Sequence, residues 1–135
     1  MGIIGGNYGP GAKLAIVHPA DIAAVAASEL SALSFSGKSI RYIVGEEKTT
    51  DEIAGILGTA IGKPDLKWVD FADNDTMGAL QQNGLPAEIA KNYVEMGAAM
   101  RSGEMAAEYN AQKSFTFEKT KLEHFAKEFA AVYSQ

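Results

Sequence analysis

Three times in this chain a short apolar run leads into residues that start helices, and this alternation is the strongest constraint on what it can fold into. "KLAIVH" (13–18) runs into Pro19, "SIRYIVG" (39–45) approaches Thr49, and "LKWVDF" (66–71) approaches Asp73. Short runs rich in β-branched and aromatic residues favour strands, and strands alternating with amphipathic helices predict an α/β architecture. The expectation is one domain over residues 1–135, with few short strands and about five helices.

The helix signals are local and chemical. Proline suits the first helical position because its missing N–H has no partner to lose there, which makes His18 the N-cap. Asp21 then falls at the third helical position, where its carboxylate can accept from the cap's backbone N–H as a capping-box variant. Ile22, Val25, Ala26, Leu30 and Leu33 follow at helical spacing, and "SFSG" closes the helix. Ile40 to Val44 reads as a strand. Thr49 and Glu52 form a full capping box ahead of Ile53, Ile56, Leu57, Ala60 and Ile61, and Gly62 and Pro64 end that helix. "LKWVDF" places Leu66, Trp68 and Asp70 on one side of a half-buried strand.

A helix follows from Asp73 to Gln82, then a break at "NGLP". The next helix runs from about Pro86 to Arg101, with Ile89, Tyr93, Met96 and Met100 as its stripe. "SGEMAAEYNAQKSF" reads as a helical turn plus solvated loop. Thr120 and Glu123 make another capping box before Leu122, Phe125, Phe129, Val132 and Tyr133, the face of a C-terminal amphipathic helix. The glycine-rich opening, "MGIIGGNYGPG", favours loop over any regular element.

Composition excludes several function classes. A net charge of −5 with 21% charged residues leaves no basic surplus for phosphate-backbone binding, so nucleic acid is not expected as a partner. With no cysteine and two sequence-isolated histidines, His18 and His124, the chain shows no metal-ligand spacing. No apolar stretch approaches the roughly 20 residues of a membrane span, which points to a cytoplasmic protein with no membrane partner.

Three features could carry chemistry. Gly2, Gly5, Gly6, Gly9 and Gly11 are candidates for a phosphate cradle, but they form no complete G-x-G-x-x-G and no strand precedes them, so they read as a flexible or cleft-lining loop. Tyr109 and Lys113 stand in Y-x-x-x-K spacing, in which the lysine lowers the phenol's pKa for proton transfer. With five tyrosines and ten lysines in 135 positions, chance alone supplies about 0.4 such pairs, so the match is weak as a motif. His18 could act as an acid or base, although the sequence shows no partner for it beyond its capping role. The stripe at Tyr93, Met96 and Met100 fits either core packing or an adaptable apolar pocket. No catalytic residue is assigned.

Taken in order, "GNYGPG", "IVHPADIAAVAASEL", "GKSIRYIVGEEKTTDEIAGILGTAIGKPDLKWVDF", "NGLPAEIAKNYVEMGAAMRSGEM" and "FTFEKTKLEHFAKEFA" resemble the C-terminal half of the NmrA-like atypical short-chain dehydrogenases. The resemblance implies the substrate-binding part of an extended Rossmann-type protein, without the half that carries G-x-x-G-x-x-G and binds NAD(P). Family members include NAD(P)H-dependent quinone and azo-dye reductases and non-catalytic dinucleotide sensors. By this resemblance Asn7 and Tyr8 belong to a loop near the substrate cleft, and the helix with Tyr93, Met96 and Met100 is one of its walls. The chain alone is expected to bind no cofactor and to be inactive. It would form a homo-oligomer or meet a separate nucleotide-binding half, with a small apolar or quinone-like ligand. The alternative is a non-enzymatic α/β module for association or apolar-ligand binding.

Overall fold

Glycine crowding at the N-terminus turns out to build a strand. In the computed structural model, which describes residues 2–112 and 119–133, β1 (Ile4–Gly6) pairs in parallel with β4 (Trp68–Asp70), Ile4 opposite Trp68 and Gly6 opposite Asp70. The expected loop over residues 1–11 is corrected here. A Cβ on Gly5 would stand 2.3 Å from the Val69 carbonyl oxygen and 2.6 Å from the Phe71 ring, so glycine at this point serves close packing against β4.

A second ladder is antiparallel: β2 (Lys13–Ile16) against β3 (Glu46–Thr49), with Lys13 opposite Thr49 and Ile16 opposite Glu46. The strand expected over Ile40 to Val44 is therefore displaced toward the C-terminus, and within that run only Val44 forms an isolated bridge. The sequence of β3, "EEKT", has no apolar alternation. It can pair because its charges are satisfied: Glu46 Oε1 accepts from the Leu122 backbone N–H at 2.6 Å, and Glu47 Oε2 meets Lys13 Nζ at 2.6 Å.

Between these ladders run α1 (Pro19–Ala32), α2 (Thr50–Ala60), α3 (Asp73–Gln82), α4 (Ala87–Ser102), the single-turn α5 (Ala107–Ala111) and α6 (Leu122–Tyr133). Five helices of ten or more residues thus accompany four short strands among the described residues. The two expected N-caps on α1 and α2 form. His18 Nδ1 accepts from the Ala20 N–H at 3.2 Å, while the Thr49 hydroxyl accepts from the Glu52 N–H at 3.2 Å and Glu52 returns to the Thr49 N–H at 2.8 Å.

Asp21 does something else. Its carboxylate accepts from the backbone N–H of Thr120 at 3.1 Å and from the Thr120 hydroxyl at 2.9 Å, fastening α1 to the start of α6. This corrects both the local capping reading of Asp21 and the expected Thr120 cap: the Thr120 hydroxyl is spent on Asp21, and the first amide of α6 on Glu46.

Packing gathers into two clusters: β2–β3 with α2–α6, which α2 joins to the β1–β4 pair, and α3 with α4, which Asn7 just after β1 ties to that pair through Asp73 and Val94. Small residues mark their contact lines. Ala90 and Gly97 are the buried positions of α4, whereas Ile89 and Tyr93 of the expected stripe are exposed. Ala126 is the buried residue of α6, with Leu122 and Phe129 half-buried and Val132 and Tyr133 exposed. On α1 nothing is buried, and Ile22, Leu30 and Leu33 lie open.

The buried core is correspondingly thin: Val44, Ala54, Ala90, Tyr109 and Ala126, with the polar Asn7 and Thr50. The accessible surface is 9259 Å², against about 6,800 Å² for a close-packed monomer of this mass. That excess shows how much of the architecture faces outward.

Candidate functional site

A cleft of about 850 Å³ opens between β2, the segment before β3, and the C-terminal end of α4, within the range of small-molecule sites. Tyr8, Tyr42 and Tyr109 supply aromatic walls, Met100 and Met105 flexible apolar ones, and Lys13 and Arg101 the cationic edges. The Tyr8 ring rests on Trp68 at 5.5 Å between centroids, and the Tyr42 ring meets that of Tyr109 edge-on at 5.7 Å.

Tyr109 is fixed by chemistry on both sides of β2. Its phenol donates to Glu47 Oε1 at 3.1 Å, and the other oxygen of the same carboxylate pairs with Lys13. Burial raises the Tyr109 pKa, and the hydrogen bond and charge of Glu47 raise it further. Glu47 moves the opposite way, held below the usual carboxylate range by Lys13 first and by Tyr109 as well. Burial, then Glu108, raises the pKa of Tyr42 too.

A proton-transferring tyrosine needs its phenol pKa lowered, and here the environment stabilises the neutral form. Tyr109 lies on helix α5 and is buried, which corrects the expected solvated loop; Lys113 lies outside the described residues. The single phenol proton of Tyr109 is spent on Glu47 and that of Tyr42 is engaged by Glu108, so an acceptor such as a carbonyl oxygen would be met instead by the Lys13 ammonium, whose three N–H groups outnumber its one contact with Glu47.

The five residues singled out for substrate contact are divided by the fold. Tyr8 and Met100 share the cleft. Asn7 is 2% exposed and serves as a strut below it, donating to Asp73 Oδ1 at 2.8 Å and to the Val94 carbonyl at 3.0 Å. Met96 is half-buried and Tyr93 exposed on α4, and neither lines this cleft. Sequence reasoning missed Tyr42, Lys13 and Arg101, because residues so far apart in the chain share no spacing that could reveal a common cavity.

Arg101 closes the floor. Its guanidinium forks onto Asp73, at 3.2 and 3.0 Å, and also reaches the Asn7 carbonyl. Arg101, then Asn7, lowers the Asp73 pKa, and Asp73 in turn raises that of Arg101. A carboxylate whose folded pKa is depressed contributes stability above its unfolded pKa, and the contribution is lost as pH falls through the folded value. Acid titration should therefore show the wild type losing stability below about pH 4 with a steeper slope than Asp73→Asn, whose stability at pH 7 is already lower. Superimposable pH profiles would contradict this role.

The glycines near the cleft do not fit a dinucleotide cradle. After β1 the chain turns through Gly9 and Gly11 directly into β2, so no helix N-terminus faces them. The backbone N–H of Gly9 donates to Asp70 Oδ1 at 2.9 Å, and is thus committed to β4.

A parallel strand pair flanked by helices, with a cleft at the strand ends, is a part of a Rossmann-type α/β architecture. Comparison with solved structures agrees. Crystal structures of the triphenylmethane reductase of Citrobacter sp. superpose with TM-scores of 0.71 and, in complex with NADP(H), 0.74, at 22% identity. An NADPH-dependent quinone oxidoreductase from Escherichia coli, complexed with NADPH, gives 0.73 at 23% identity. These alignments cover 94–96% of this chain and 44–45% of those proteins, so the chain spans less than half their length. No protein-family model and no curated protein sequence matches the chain. Among the described residues, no helix is long and apolar enough to cross a membrane.

Proposed function

We propose that these residues form the substrate-side portion of an NmrA-like NAD(P)-dependent oxidoreductase or redox sensor. The nucleotide-binding part would be supplied outside these 135 residues, and the portion alone is inactive. The cleft takes a small, flat, apolar ligand of the quinone type: Tyr8 and Tyr42 provide ring faces, Met100 adapts to the ligand's outline, and the Lys13 ammonium at the edge meets a carbonyl oxygen. The observation that carries this reading is the cleft itself, an aromatic cavity with a cationic donor at its edge, at the strand ends of a fold that superposes on those reductases.

Trp68, the single tryptophan, lies against Tyr8 and is a built-in reporter. A water-soluble naphthoquinone is expected to quench its fluorescence saturably after correction for ligand absorption, with no need for NADPH. NADPH alone should give no heat of binding in calorimetry. Failure of the quinone to bind, or saturable NADPH binding by this chain, would defeat the proposal.

The second reading is a non-enzymatic module for association, and α1 favours it: none of its residues is buried, and Ile22, Leu30 and Leu33 present an apolar face. Self-association measured by light scattering, without quinone binding, would select that reading.

A further inference from the structure

Outside the cleft, the fold brings together two histidines that are 106 positions apart in sequence. His18 ends the segment after β2, and His124 sits in the first turn of α6. Their rings approach edge-on at 6.1 Å between centroids, and Glu128, one turn along from His124, lies between them. His18 Nε2 is 3.5 Å from Glu128 Oε2, and His124 Nδ1 is 3.4 Å from Glu128 Oε1. One ligand atom from each of the three side chains falls within 4.8 Å of the other two.

We propose that His18, His124 and Glu128 bind a divalent transition-metal ion of the zinc class, which would clamp α6 onto the N-terminus of α1. Ligands about 2.0–2.1 Å from a tetrahedral zinc stand roughly 3.3 Å from one another; each imidazole is near that separation from one oxygen of Glu128, His18 from Oε2 and His124 from Oε1, so a small rotation of the carboxylate would bring one oxygen to both. The remaining histidine–histidine gap closes by rotation of His124, whose side chain is 64% exposed and free to turn; His18, at 17%, is the fixed ligand. Two imidazoles and one carboxylate suit zinc, copper or nickel better than magnesium or calcium, and a water completes the fourth position.

The state of His18 adds a specific consequence. Its Nδ1 accepts from the Ala20 N–H, which places the ring proton on Nε2, facing Glu128. A metal at Nε2 requires the same proton on Nδ1, so binding gives up the α1 cap. Metal affinity and capping therefore compete at one ring, and the Ala20 amide should exchange with solvent faster in the loaded protein.

Calorimetric titration with ZnCl₂ is the test. The wild type should take up one ion per chain, and Co²⁺ in its place should show the absorption of a four-coordinate site. His124→Ala and Glu128→Gln should each weaken binding by at least about tenfold. His18→Asn should do the same while keeping a good N-cap side chain, so its helix content stays that of the wild type and loss of metal cannot be ascribed to unfolding. No zinc uptake by the wild type, or variants that bind as it does, would overturn the proposal.

Discussion

Gly97→Ala is expected to destabilise the protein by about 3 kcal/mol, against the usual sign for this change inside a helix. Alanine normally gains about 1 kcal/mol over glycine in a helix interior. At this position an added Cβ would stand 2.0 Å from Asn7 Oδ1, 2.4 Å from its Cγ and 2.6 Å from its Nδ2. The Asn7 amide would have to leave, surrendering its bonds to Asp73 and Val94 in a buried place. Overpacking of this kind costs about 1–3 kcal/mol, and the two hydrogen bonds, one of them to a charge, add about 2–4 kcal/mol more. Urea denaturation measures the difference. Gly78→Ala in α3, where nothing lies within 4 Å of the new methyl, is the control and should be neutral or mildly stabilising. Equal midpoints for the two variants would remove Asn7 from the role of strut.

Tyr109→Ala should cost about 3–4 kcal/mol, and Tyr109→Phe only about 1 kcal/mol. The first empties the largest buried apolar position and unseats the Tyr42 ring; the second keeps the ring and removes one hydrogen bond to Glu47. The pair separates packing from polar contact at the cleft wall. Thermal unfolding of both variants gives the comparison, and a phenylalanine variant as unstable as the alanine one would mean that the hydroxyl, not the ring, holds the wall.

Features set by chemistry within one turn of the chain were legible in the sequence. The capping box at Thr49 and Glu52, the His18 cap with Pro19, and the break after Gln82 depend on neighbours a few residues away, and all form. Features set by distant partners were not. β1 hides in glycines because the packing partners of Gly5, Val69 and Phe71, lie 64 and 66 positions on, and β3 hides in charges because Lys13, Tyr109 and Leu122 satisfy them from three other elements.

Helix faces failed for a related reason. In the sequence the large apolar side chains mark the stripe of α4, but its buried positions are Ala90 and Gly97, and at Gly97 small size admits the Asn7 side chain. Of the candidate site, Tyr8 and Met100 could be picked out from the sequence, and the α/β class with the reductase-like architecture agrees with the solved structures. The cavity that joins Tyr8 to Tyr42 and Tyr109 exists only once the two ladders are in place.

α1 is held at its two extremities: a histidine cap and the Asp21–Thr120 clasp at one, a left-handed Leu33 at the other. Between them its side chains contribute to neither packed cluster. A partner docking on that helix would arrive and depart without dismantling a core, so assembly through α1 would be separable from folding, and the partner would meet a surface already in shape.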